Sequence, residues 1–329
     1  MADFRTVLTF EESKSKIDHH SKVFSMGSCF AEHITQRMDQ RKFNTMLNPF
    51  GILYNPISIA MGMAVLMGQK QLSEAELFAH NGLWHSFFFH GKYSGQNQQQ
   101  VWKEMGQAVV QGTSFLQQAD WMICTFGTAY VFEHKQTAQV VANCHKLPNQ
   151  DFDRRRLGVN EIIDVWEQSL GSLWQLNPDL KVLLTVSPIR HIRDGLVENQ
   201  RSKAALLLAV EQLCTKYPKV QYFPAYELMM DDLRDYRFYE SDLIHPNAQA
   251  IDYIWDKFSK VYFDTPTKEL NSRIERMVQA ALHRPLHPGT EAHQAFLRQQ
   301  LDKIQDFAEE YPNLSFEQEK ELFLAQLTN

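Results

Sequence analysis

The 329-residue sequence contains no CxxC pair. Its four cysteines, Cys29, Cys124, Cys144 and Cys214, are widely scattered, which argues against a zinc knuckle and a disulfide framework, so reduced thiols are expected. Basic clusters are missing too. With 33 Lys and Arg against 39 Asp and Glu the net charge is −6, and the chain has no electrostatic footprint for nucleic acid. No window approaches the run of about 18 apolar residues that a membrane span requires. The opening "MADFRTVLTFEESKSKIDHHSKVF" lacks the apolar stretch of a signal peptide, and a cytoplasmic location is expected. Neither GxGxxG after the first strand nor a GxxxxGK loop occurs, so no metal or organic cofactor is implied. Internal repeats are absent. What remains is the balance of a water-soluble globular chain, 44% hydrophobic and 22% charged, long enough for one large or two modest domains.

Apolar runs of strand length recur along it. They are "KVFSMG" (22–27), "KFNTMLNP" (42–49), "ADWMICTFGTAYVF" (119–132, breaking at Gly127), "LKVLLTVSPIRH" (180–191) and "VQYFPAYEL" (220–228). Between them, helical periodicity runs through Ile57–Met67, 160–176 and 200–216. Strands apolar on both faces and joined by crossover helices predict an α/β/α protein with a mostly parallel sheet. Ligands then belong beyond the carboxyl ends of the strands, in the loops after Gly27, Asn48, Phe126, Ser187 and Tyr222. The aromatic and Gln-rich segment 68–118 reads as an insertion or lid within a domain of residues 1–264. From 265 to 329, amphipathic helices separated by prolines read as a C-terminal helical appendage, whose apolar stripe seals the domain or a second subunit, making a homo-oligomer.

Two stretches carry chemistry. In "KVFSMGSCFAEHITQRM" a strand ends in glycine, and Ser28 and Cys29 follow at a helix start. In "FYESDLIHPNAQAIDYIWDKF" Asp242 stands three residues before His245 on one loop, a spacing that lets the carboxylate take the Nδ1 hydrogen and leaves Nε2 free as a base. Together these stretches resemble the SGNH/GDSL hydrolase superfamily. "GSCFA" (27–31), "NPFGILYNP" (48–56), "TFGTAYVF" (125–132), "SPIRHIRDG" (187–195) and "ENQRSKA" (198–204) resemble its bacterial branch, the GSCFA domain family, over roughly residues 20–260. The resemblance implies a three-layer α/β/α sandwich and ester chemistry on a Ser-His-Asp type triad. Counting from Gly27 as in the superfamily's Gly-Asp-Ser puts the nucleophile at Cys29, with Ser28 in the aspartate's place. A helix N-terminus is expected to lower the thiol pKa. The alternative is structural, with Cys29 as a small packing residue and Ser28 as an N-cap.

By the same resemblance, Gly51 matches the second oxyanion donor. The third departs from the pattern, because Gly127-Thr128-Ala129 stands where a Gly-x-Asn-Asp would supply a side-chain amide, and Thr128, Asn55, Arg190 or His191 are its candidate replacements. His80, His85 and His90 recur every five residues, which no regular face presents together, and read as exposed lid histidines rather than a metal site. Cys144-His145 reads as a loop thiol beside a surface histidine. Arg190 is open between contacting an anionic or carbonyl substrate group and an ordinary carboxylate partner. Glu198, Asn199, Ser202 and Lys203 read as helix initiation, and Phe87, Phe88 and Phe89 as an acyl-pocket lining or a small core. The expected function is an acyl-ester hydrolase or O-acyltransferase acting on a small-molecule or carbohydrate ester. The alternative is a catalytically lapsed fold that binds carbohydrate or protein.

Overall fold

The computed structural model describes residues 5–327. Five parallel strands form the central sheet: β1 (Lys22–Gly27), β2 (Asn44–Leu47), β5 (Trp121–Phe126), β9 (Lys181–Val186) and β10 (Val220–Tyr222), in the order β2-β1-β5-β9-β10. Against one face pack α2 (Pro56–Leu66), α3 (Gln98–Leu116), α4 (Val159–Leu176) and α5 (Leu196–Lys216). Against the other pack α1 (Cys29–Gln40), the short α6 (Ala225–Glu227) and α7 (Ala248–Tyr262). The fold is therefore a three-layer α/β/α sandwich. Its three inner strands, β1, β5 and β9, are buried on both faces, as their near-continuous apolar sequences require. Trp166 illustrates the packing: the ring is fully buried, and its indole N–H donates to Pro56 O at 3.1 Å.

Where the order turns back, between β1 and β5, the crossovers leave in opposite directions and open a crevice at the strand ends. The backbone is tightest there. Gly27 adopts φ +139°, and a Cβ on it would lie 2.3 Å from Thr125 O, so only glycine fits. The loop from β2 to α2 closes over the gap. Leu53 N donates to Gly27 O, and Tyr54 O accepts from the N–H groups of both Gly127 and Thr128.

Segment 68–118 divides in two. The hairpin of β3 (Phe78–His80) and β4 (Leu83–His85) lies outside the main sheet, whereas α3 places Val101, Met105 and Leu116 in the main core. Phe88 and Phe89 join that core as well, away from the cleft described below. The run 119–132 breaks at Gly127 into strands of different sheets. β6 (Tyr130–His134) pairs antiparallel with β7 (Gln139–Val141) and β8 (Phe152–Arg156), a second sheet that hydrophobic periodicity did not disclose. Helices α8 (Thr265–Leu282), α9 (Glu291–Glu310) and α10 (Glu317–Leu324) bury their apolar stripes in one another. Buried Glu319 fixes α10 to Lys42 at 2.8 Å, and Arg41 reaches Glu275 at 3.0 Å.

Candidate active site

A cleft of about 560 Å³ opens at the β1/β5 crevice. It brings Cys29, Asn55, Thr128, Arg190, His191 and His245 together, although more than two hundred residues separate the first from the last. Cys29 is half-buried in the first turn of α1, where the amides of Cys29 and Phe30 have no intrahelical acceptor and face Sγ. Ser28 occupies the N-cap position, makes no side-chain cap bond, is 1% exposed and does not line the cleft. Of the two neighbours, Cys29 lines the cleft and the Ser28 hydroxyl is buried.

His245 is held on the opposite rim. Asn247 caps α7 through Ala250 N, and the loop before it curls so that Asp242 Oδ1 accepts the N–H groups of Ile244 and His245 while Oδ2 accepts from His245 Nδ1 at 2.6 Å. These donors, the His245 amide foremost, pull the Asp242 pKa down to about 2. His245 lines the cleft, and its Nε2 has no hydrogen-bond partner among the described residues.

The thiol's environment differs from the expected one. Burial, reinforced by Glu32 one turn on, raises the Cys29 pKa, against the downward pull of the local amides and Lys203. The helix N-terminus alone does not make a thiolate here, because desolvation penalises the charged form more strongly.

The oxyanion candidates separate. Gly51 donates its N–H to Asn48 O at 2.8 Å and lies against His90, so it does not present that donor to the cleft, and the expectation for Gly51 is corrected. Asn55 lines the cleft but is spent on capping α2: Oδ1 accepts from Ser58 N and Nδ2 donates to Ser58 Oγ. Thr128 Oγ1 accepts from Tyr130 N and shares a hydrogen bond with Ser202 Oγ. His191 donates its backbone N–H to Asn199 Oδ1. Its Nε2 is buried without a partner among the described residues, and burial, with Lys203 next, pushes the imidazole down to about 4.

Arg190 has no carboxylate within ion-pair distance among the described residues, and its Nε is buried without a partner. It also lines a second pocket with Asp231 and Asp235. Arg154 is different, since its Nε donates to Asp194 at 2.7 Å and its guanidinium covers the Tyr130 and Phe132 rings. Arg193 stacks over Phe132. Among the described residues no Asp or Glu lines the cleft.

Other expectations are corrected. His85 is buried, its ring tilted against that of His145 with centroids 4.5 Å apart and 6.5 Å from that of His80, because the hairpin sets the two strands side by side. His145 is no surface histidine: it is buried and bonded to Ser86 O, and Cys144 beside it lines the cleft. Among the described residues no three His, Cys, Asp or Glu side chains converge as a metal cage.

Residues 198–203 do more than start a helix. α5 already begins at Leu196. Glu198 accepts from Tyr130 Oη, Asn199 holds the His191 amide, Ser202 accepts from Ala129 N, and Lys203 donates to Gly127 O and Ser187 O. A sequence signal existed. Stepping back from buried Leu206 by three and four residues reaches Lys203 and Ser202, and then Asn199, so polar residues continue an apolar stripe.

Among the described residues no helix is long and apolar enough to cross a membrane. No curated protein matches the chain. The profile of the GSCFA domain protein, C-terminal domain, matches residues 274–329, and that of the GSCFA family matches residues 22–258. Because this second match runs from the start of β1 into α7 and takes in both Cys29 and His245, the chain belongs to the GSCFA family.

Proposed function

We propose that this protein is an SGNH-type acyl-transfer enzyme acting on O-acyl esters through Cys29, His245 and Asp242. The observation that carries the reading is that Cys29 and His245 line one cleft while Asp242 holds His245 Nδ1. The strand order, with the reacting groups at its reversal point, supports the superfamily link.

In the proposed reaction His245 Nε2 takes the thiol proton as Sγ bonds to the ester carbonyl carbon, whose oxygen becomes the oxyanion beside the Cys29 and Phe30 amides. Collapse breaks the bond to the alcohol, which leaves with the proton from His245. Water, or a sugar hydroxyl, then attacks the thioester with His245 again as base, releasing the acyl product and restoring the thiol. Asp242 keeps the tautomer that leaves Nε2 basic. Arg190, which lines the cleft without a carboxylate at ion-pair distance and also borders a neighbouring pocket with Asp231 and Asp235, favours substrates with an anionic group beyond the scissile bond.

One observation favours the competing reading of a lapsed, carbohydrate- or protein-binding fold: the Gly51 amide is occupied. Hydrolysis of p-nitrophenyl acetate, together with labelling by a covalent thiol probe, separates the two. The expected result is loss of both in Cys29→Ala, and loss of turnover with labelling retained in His245→Ala. Turnover that persists in Cys29→Ala and disappears in Ser28→Ala would place the nucleophile one residue earlier. Identical behaviour of wild type, Ser28→Ala, Cys29→Ala and His245→Ala would sink the enzyme reading.

A further inference from the structure

Lys203 lies in the second turn of α5 and is 0% exposed. Its Nζ donates to Gly127 O and to Ser187 O, each at 2.6 Å. Those carbonyls stand just beyond β5 and β9, on two loops that enter the cleft. No carboxylate lies within ion-pair distance of Nζ among the described residues, and a buried ammonium without a counter-charge is costly. Gly127 leads directly to the nucleophile turn: a Cβ on it would be 3.3 Å from Ser28 Cβ and 3.5 Å from His191 Nε2. The ammonium is thus buried one peptide layer beneath the turn that bears Cys29.

We propose that Lys203 is a positioning residue for Cys29, a cation sealed under the cleft floor that fixes the Gly127 and Ser187 loops and stabilises the Cys29 thiolate. The proposal rests on the reading of Cys29 as nucleophile. Two hydrogen bonds orient the amine, and the charge it lacks nearby is the one the thiol acquires on reaction. Each group acts on the other in the sense this requires. Burial lowers the Lys203 pKa to about 7 and Cys29 raises it again, while Lys203 opposes the upward push of burial and Glu32 on the thiol. A proton lost by Cys29 is therefore partly repaid by a proton kept on Lys203. The other titratable or charged groups around the thiol are Glu32 on α1 and, lining the cleft, Tyr54 and His90 before and after α2, Tyr130 on β6, Cys144, Arg154 on β8, Arg190, His191 and Arg193 after β9, and His245 before α7. Of the cations at or beneath the cleft, Lys203 is the one whose charge lowers the thiol pKa.

The test is the pH profile of Cys29 alkylation by iodoacetamide, read by peptide mass spectrometry so that Cys124, Cys144 and Cys214 are followed separately. In Lys203→Met the profile should move to higher pH, with alkylation at pH 7.5 slowed about tenfold for each unit of displacement. An unmoved profile in a folded Lys203→Met protein overturns the proposal. Should that variant fail to fold, 13Cε-lysine NMR of the wild type and Cys29→Ala decides. One lysine should titrate well below the others, and its midpoint should fall further in Cys29→Ala, whereas equal midpoints reject the coupling. Alkylation needs no ester turnover. Coupled titration without hydrolysis would therefore reject the proposed function alone, and hydrolysis without coupling would reject this inference alone.

Discussion

On the rim of the cleft the functional side chains stand in water: those of His245 and Asp242 are 46% and 44% exposed, held by a short loop and three hydrogen bonds from Ile244 and His245 to one carboxylate. On its floor Asn199, Ser202 and Lys203 are at most 3% exposed, and each is bonded to a backbone group in the segments that follow β5 and β9. The rim exposes a base and stabilises the fold little. The floor holds geometry, and a lost partner there leaves a polar group buried and unpaired, so the same kind of substitution has opposite signatures in the two places.

The largest expected effect is on the rim. His245→Ala should lower ester turnover by about 10²–10⁴-fold, while thermal unfolding stays within about 0.5 kcal/mol of wild type because the site is exposed. A marked loss of stability there would erase the contrast. Between rim and floor, Arg190→Gln should lower kcat/KM for an ester bearing a carboxylate by about 10- to 100-fold more than for a neutral ester of the same shape, as the loss of a charge-assisted hydrogen bond requires. An unchanged ratio of the two substrates would remove Arg190 from substrate binding. On the floor, Asn199→Ala leaves the His191 N–H unpaired and should cost about 1–3 kcal/mol in denaturant melts. A melt identical to wild type would make the floor as forgiving as the rim.

The smallest effect is a pH dependence. The folded-state pKa of His191, about 4, lies below its unfolded value of about 6.5. The unfolded chain therefore binds the extra proton between those limits, and the contribution to stability is complete above about pH 6.5 and lost as the pH falls through about 4. His191→Gln should flatten that part of the urea-melt profile. Parallel profiles would mean that the imidazole is not held neutral by burial.

Much of this was legible along the chain. Lys22–Gly27 and Lys181–Val186 are apolar on consecutive positions, which only a strand covered on both faces tolerates, and both are strands of the central sheet. Asn247 stands at a helix start and caps it, and Asp242 and His245 meet because three residues of loop suffice to bring them together. The second sheet escaped because β7 is only three residues long and β8 is polar, with Asp153, Arg154, Arg155 and Arg156 in a row, so their pairing follows from cross-strand partners rather than from a local period. The occupied Gly51 amide escaped for a similar reason, since its acceptor is set by the turn at Asn48.

Sequence by itself determined which residues alternate between strand and crossover helix, and that a thiol and a carboxylate-held imidazole stand at two element boundaries, because burial periodicity and capping are local properties. Tertiary structure decided that Cys29 rather than Ser28 faces the cleft, that burial raises the thiol pKa against the helix terminus, and that Lys203 lies beneath it. Those outcomes depend on how much water and charge surround each group, and that is set by residues distant along the chain and adjacent only once β1, β5 and α5 have packed.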